Sequence, residues 1–163
     1  TDALTGLYNF RYFQEVMARE LERARRYERP LSVLIVDIDH FKHFNDNLGQ
    51  EMGNVALTMA AKVLKESLRP DDTLARYGGE EFVVLLPDTA RESAQVVADR
   101  LRLAIESAAF PGGDRQPLGR VTVSIGGSTY PQDSQASQGL IQKADKGLYA
   151  AKESGRNRFS WAT

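Results

Sequence analysis

Apolar positions along the chain fall into two kinds of run. Residues 10–28 place Phe13, Val16, Met17, Leu21 and Ala24 on one stripe, which predicts an amphipathic helix with Asn9 as N-cap. Its charged side (Arg19, Glu22, Arg23, Arg26) reads as a solvated face. Pro30 breaks that pattern. Residues 31–38 then form a nearly continuous apolar run rich in β-branched residues, as expected of a central strand buried on both faces. A second helix is predicted over 51–67, with Met52, Val55, Met59 and Val63 inward. Two short apolar runs, 74–77 and 82–86, flank Gly78-Gly79-Glu80-Glu81 and predict a β-hairpin, because glycine tolerates the positive φ of a tight turn. A third helix covers 89–109 through Val97, Leu101, Ala104, Ile105 and Ala108, followed by a loop from Phe110. Val121–Ile125 reads as a strand ended by Gly126-Gly127. A fourth helix, 137–154, carries Ile141, Ala144, Leu148 and Ala151, and a last strand lies within 157–161. The spacing of Tyr149 and Phe159 points to core packing. This order predicts an α/β (α+β) fold, a mixed sheet flanked by helices.

Composition narrows the function classes. The chain has 163 residues, 42% of them hydrophobic, enough for one domain with a real core over 1–163. Its 21 Lys plus Arg against 22 Asp plus Glu leave a net charge of −1, which argues against nucleic-acid binding by bulk charge. No run approaches the roughly 20 apolar residues of a membrane helix, and no signal peptide is expected within these residues. Cysteine is absent, so disulfides and thiolate metal sites are excluded, and His40 and His43 alone leave little for zinc. Because the chain starts at Thr1, it is expected to be a piece of a longer protein.

The acids sit at unusual places. Asp37 ends the long apolar strand, where ionisation without a partner is costly. Glu80 and Glu81 lie on the glycine turn, directly before another buried strand. Convergent carboxylates without Cys suit a hard divalent cation such as Mg²⁺, the usual partner of a polyphosphate substrate. Read alone, these residues also fit plain surface acids at strand ends. A receiver-like phosphoacceptor would explain Asp37, but not the glycine hairpin with two glutamates.

Several ordered motifs resemble one family. Arg76-Tyr77-Gly78-Gly79-Glu80-Glu81-Phe82 is similar to the signature of GGDEF domains, in a GGEEF form. Asp2-Ala3-Leu4-Thr5-Gly6-Leu7-Tyr8-Asn9 resembles the family's opening motif. Asp37-Ile38-Asp39-His40-Phe41-Lys42, with Asn45, Asp46 and Gly49, resembles its second. Ala144-Asp145, Leu148-Tyr149, Ala151-Lys152 and Gly155-Arg156-Asn157-Arg158 resemble its closing motif. The resemblance implies a palm-like, nucleotide-cyclase-like fold and a diguanylate cyclase, condensing two GTP into cyclic di-GMP and two pyrophosphates. It implies a homodimer with two facing half-sites, since each 3′-hydroxyl must reach the other nucleotide's α-phosphate in line. It also implies an upstream sensory or regulatory domain, a cytoplasmic location for this part, and no nucleic-acid partner.

By motif position, Asp37, the Ile38 carbonyl, and Glu80 or Glu81 would hold Mg²⁺ (or Mn²⁺), and one glutamate would help deprotonate the 3′-hydroxyl. Phe41 and Lys42 amides with the Lys152 and Arg156 side chains would grip the β- and γ-phosphates. Taken without the resemblance, Lys152 and Arg156 read as a basic helix C-terminus complementing its dipole.

Asn45 and Asn54 would contact the base. The family usually carries Asp where Asn54 stands. A carboxylate accepts from guanine N1–H and N2 together, whereas an amide has one acceptor oxygen and an NH₂ donor. Asn54 can still meet guanine through N1–H and O6, but it can also pair with adenine, so weaker base selectivity is expected. Arg69-Pro70-Asp71-Asp72 resembles the family's inhibitory site for cyclic di-GMP, with Arg69 and Asp72 as its ligands and Arg100 as a secondary contact. Three functions follow from these residues: an active cyclase under product inhibition, a catalytically weak cyclic di-GMP receptor, and a cyclase of relaxed base selectivity.

Overall fold

The computed structural model describes residues 1–162. In chain order the elements are β1 (Tyr8–Asn9), α1 (Phe10–Tyr27), β2 (Leu31–Ile38), α2 (Phe41–Leu48), α3 (Gln50–Glu66), β3 (Thr73–Gly78), β4 (Glu81–Pro87), α4 (Arg91–Ser107), a 3₁₀ turn at Gly113–Arg115, β5 (Val123–Tyr130), α5 (Ser137–Glu153) and β6 (Phe159–Trp161). The strands form one six-stranded sheet in the order β1-β3-β4-β2-β5-β6. Pairing is parallel for β1–β3 and β5–β6 and antiparallel elsewhere, so the sheet is mixed as the element order predicts.

β2 is central, and all eight of its residues are buried. Its side chains alternate between two cores. Leu34, Val36 and Ile38 pack with residues of α3 and α4 on one face. Val33 and Ile35 pack with Phe13, Met17 and Leu21 of α1 and Leu140, Ala144 and Leu148 of α5 on the other. α1 begins where the sequence places it, with the Asn9 side chain accepting from the Tyr12 amide at 2.9 Å.

Three readings change. The inward stripe of α3 is Gly53, Ala56, Leu57, Ala60, Ala61 and Leu64, while Val55 is 46% exposed and Met52, Met59 and Val63 only flank the core. The small residues let this helix lie close to its neighbours, so bulk was a poor guide to its buried side. Tyr149 is exposed, donating to Glu153, rather than in the core. Finally, β5 runs through Gly126-Gly127 to Tyr130 instead of stopping there. A Cβ on Gly126 would stand 2.0 Å from the Leu148 amide nitrogen and 2.1 Å from the Ala144 carbonyl. Glycine is needed here for helix-on-strand approach, not for a turn.

Replacing Gly126 by Ala should therefore push α5 off the sheet and lower stability by about 1–3 kcal/mol. Gly78→Ala, where a Cβ meets nothing within 4 Å, should stay within about 0.5 kcal/mol of the parent. Urea unfolding midpoints of the two variants check this, and equal stabilities would refute the packing account.

Candidate active site

Strand parity assembles the acids. Asp37 of β2 is the register partner of Glu81 of β4, so both carboxylates leave the same face of the sheet, the one covered by α1 and α5. Like charges directly opposite across strands are destabilising. One cation answers them: Lys152 Nζ of α5 donates to Asp37 Oδ2 at 2.5 Å. Burial dominates the proton affinities of the pair. Burial raises Asp37 above its ordinary value, with Lys152 opposing and Glu80 adding to the rise. Burial, then the Asp37 charge, push Glu81 up to about 7. Glu80 sits on the turn, where its carbonyl accepts from the Ile38 amide at 3.2 Å.

Asp145, two helical turns before Lys152 on α5, adds a further carboxylate near this pair. Burial raises it, Lys152 opposes, and its charge also acts on Glu81. The acids thus outnumber the cation that serves them, which is the electrostatic setting a divalent ion relieves. Among the described residues no three His, Cys, Asp or Glu side chains form a complete metal cage. One or two carboxylates suffice for Mg²⁺, which completes its shell with water and substrate phosphate.

The diglycine turn is held from outside. Arg76 donates to the Gly79 carbonyl at 2.7 and 3.2 Å and to both Asp2 carboxylate oxygens at 3.2 Å. Gly79 takes φ +34, whereas Gly78 has no positive φ and open space around its missing Cβ. The fold does not demand glycine at Gly78. Bare backbone there leaves room for a ligand to lie against the turn.

Beyond β2 the chain turns through Asp39 and His40. Asp39 is buried and accepts from Thr122 Oγ1 (2.7 Å), Ser124 Oγ (2.6 Å) and the Asn157 amide (3.0 Å), with the Arg156 guanidinium 3.9 Å away. It fixes the loop that carries Arg156 to the end of β2. This role was missed in the sequence, although Thr122 and Ser124 alternating with Val121, Val123 and Ile125 give a hint of it. His40 adopts φ 55, a left-handed conformation that aims the chain into α2. The Phe41 and Lys42 amides lie in the first turn of α2, where N–H groups have no intrahelical acceptor and the dipole favours an anion. The Lys42 ammonium points elsewhere, pairing with Asp46 at 3.0 Å in solvent.

α2 and α3 meet at Gly49, which brings Asn45 against Gly53, the neighbour of Asn54. A Cβ on Gly53 would overlap Asn45 Oδ1 at 1.7 Å. That oxygen is buried and makes no hydrogen bond. A buried acceptor without a donor is costly, and such groups mark sites that a ligand completes.

Arg69 and Asp72 form a separate cluster at the entrance to β3. Arg69 Nη2 donates to Asp72 Oδ1 at 2.9 Å, to the Pro87 carbonyl at 3.1 Å and to Thr89 Oγ1 at 3.1 Å. The Asp72 side chain is covered while Arg69 remains 51% exposed. Arg100 of α4 donates to the Ser67 carbonyl at 3.1 Å, at the end of α3 just before Arg69. A groove lined by Leu7, Tyr8, Lys65, Arg69 and Asp72 opens beside them.

No helix among the described residues is long and apolar enough to cross a membrane. The family model "Diguanylate cyclase, GGDEF domain" matches residues 1–158. The chain is 40% identical over 157 residues to Response regulator PleD of Caulobacter vibrioides, covering 96% of this chain and 35% of that protein. It is 38% identical over 163 residues to Diguanylate cyclase A of Treponema denticola, covering 98% and 43%. It therefore spans less than half the length of these relatives. The crystal structure of the GGDEF domain of DgcB from Caulobacter crescentus, in complex with c-di-GMP, superposes with a TM-score of 0.87 at 33% identity, over 98% of this chain and 94% of that one. With the opposed acids and the diglycine turn on one sheet end, these likenesses settle the family: the chain belongs to the GGDEF domains of the diguanylate cyclases.

Proposed function

We propose that this domain is a diguanylate cyclase half-site that joins two GTP molecules into cyclic di-GMP when two copies face each other. The observation that supports it most is the Asp37–Glu81 register pair with Lys152 between helix and strand. In this reading Asp37, the Ile38 carbonyl and Glu81 hold Mg²⁺ or Mn²⁺, which when bound offsets charge on the phosphates. The Phe41 and Lys42 amides, Lys152 and Arg156 hold the β- and γ-phosphates. Asn45 and Asn54 meet the base. Glu80, on the turn outside the opposed pair, takes the proton of the 3′-hydroxyl.

The 3′-oxygen of one nucleotide attacks the α-phosphorus of the other. The bond to the bridging oxygen breaks, and pyrophosphate leaves with that electron pair. Two such steps close the ring. One domain carries one set of these groups, so a homodimer supplies the second nucleotide in line. A sensory or regulatory domain elsewhere in the parent protein would set how often two copies meet.

Arg69, Asp72 and Arg100 are proposed to bind the product and restrain the enzyme. Once the Arg69–Asp72 pair opens, Arg69 offers a bidentate fork to phosphate or to a guanine edge, and Asp72 accepts from guanine N1–H and N2.

Incubation with Mg²⁺ and GTP, ATP or both, followed by mass spectrometry, should yield cyclic di-GMP from GTP. Absence of any dinucleotide, with tight binding of added cyclic di-GMP, would instead establish a receptor. Changing Asn54 to Asp should raise the preference for GTP over ATP by about tenfold, the scale of one hydrogen bond to a charged group. An unchanged ratio of the two turnover rates would remove Asn54 from base selection. Arg69→Ala should weaken cyclic di-GMP binding by at least about tenfold and relieve inhibition while initial turnover persists. Unaltered product affinity in calorimetry would rule Arg69 out as the anchor.

A further inference from the structure

Past Asp39 the surface opens into a concavity of about 430 Å³ whose wall includes Glu106, Arg120, Thr122, Arg156, Asn157 and Arg158. Three guanidinium groups thus share one hollow in a chain whose net charge is −1. Glu106 is the one acid on that wall among the described residues, and it is engaged: it accepts from Asn157 Nδ2 at 2.5 Å and lies 4.0 Å from Arg102. Among the described residues, neither Arg120 nor Arg158 has a carboxylate within 4.0 Å. Arg158 is nonetheless tied to the local backbone. Its Nε donates to the Arg156 carbonyl at 2.9 Å, and its guanidinium folds back over Gly155, where a Cβ would lie 2.5 Å from Nη2. The charges of Arg120 and Arg158 are thus offset by no nearby carboxylate, and a multivalent anion with several acceptor oxygens can answer both from the hollow they line.

We infer that this arginine-lined hollow binds a pyrophosphate-class anion, receiving the leaving group of the cyclase reaction as it departs from Arg156. The inference rests on the cyclase reading for the identity of its ligand. Arg156 joins the two places, since it lines the hollow and also reaches Asp39 at the end of β2. Arg120 and Arg158 line the same hollow and make no ion pair with the Asp37–Glu81 site.

Calorimetric titration of the unmodified chain with inorganic pyrophosphate, without GTP or metal, tests the site apart from catalysis. Saturable binding, stronger than that of inorganic phosphate and weakened by added salt, is expected. Arg120→Ala and Arg158→Ala should each reduce pyrophosphate affinity by about tenfold, with GTP affinity changed far less. Arg120 is exposed on a loop, so its variant reports even where the loss of Arg158 disturbs the Gly155–Arg158 turn. Unaltered pyrophosphate affinity in the Arg120 variant overturns the inference. An equal loss for GTP and pyrophosphate also overturns it, because the arginines would then serve the intact triphosphate. A chain that makes no dinucleotide yet binds pyrophosphate through Arg120 refutes the cyclase reading and leaves the anion site standing.

Discussion

Two carboxylates facing each other across neighbouring strands are a liability that the rest of the molecule is arranged to bear. Asp37 and Glu81 occupy matched positions on β2 and β4 because the antiparallel register dictates it. Nothing about sheet stability favours acids there. A single ammonium, delivered by α5, offsets the cost in part. Local conflict of this kind, surrounded by consistent packing, is what a functional site imposes on an otherwise well-matched sequence. The partners of Asp39 and the Arg76 clamp on the Gly79 carbonyl serve the same end, since they fix the backbone on both sides of the acid pair.

Much of this was legible in the residues. The apolar run 31–38 ending in Asp37, and the hairpin around Gly78-Gly79, specify both the central strand and the turn beside it, because buried strands and tight turns leave strong local signals. Parity along β2 and β4 then leaves the two acids no choice of face. What stayed hidden depends on contacts between distant parts of the chain. Asp39 looks equivalent to Asp37 in sequence, yet it is consumed by Thr122, Ser124 and Asn157. α2 is too short and polar for a periodic pattern, with only Phe44 buried. The buried side of α3 is lined by glycine and alanine, which hydrophobicity weighs lightly. Gly126-Gly127 reads as a stop locally and works as a seat for α5 globally.

The polar groups around the proposed nucleotide divide by how they are held. Lys152, Asp39 and Arg76 are tied into the protein and fix geometry. Asn45 Oδ1 has no partner, and the Phe41 and Lys42 amides fall in the helical turn that lacks internal acceptors. Preorganised donors and acceptors that await a ligand cost nothing further at the moment of reaction. Arg69 and Asp72 differ again, because they are bonded to each other. A ligand at that cluster must compete with an existing ion pair, which tempers affinity.

The bare Cα of Gly126 sets the height at which α5 rides, and α5 delivers the only ammonium among the described residues that reaches Asp37. A methyl group at a position with no view of the nucleotide would therefore displace Lys152 along with its helix. In a genetic screen such an allele would score with losses at the proposed site, although every side chain proposed for that site is intact.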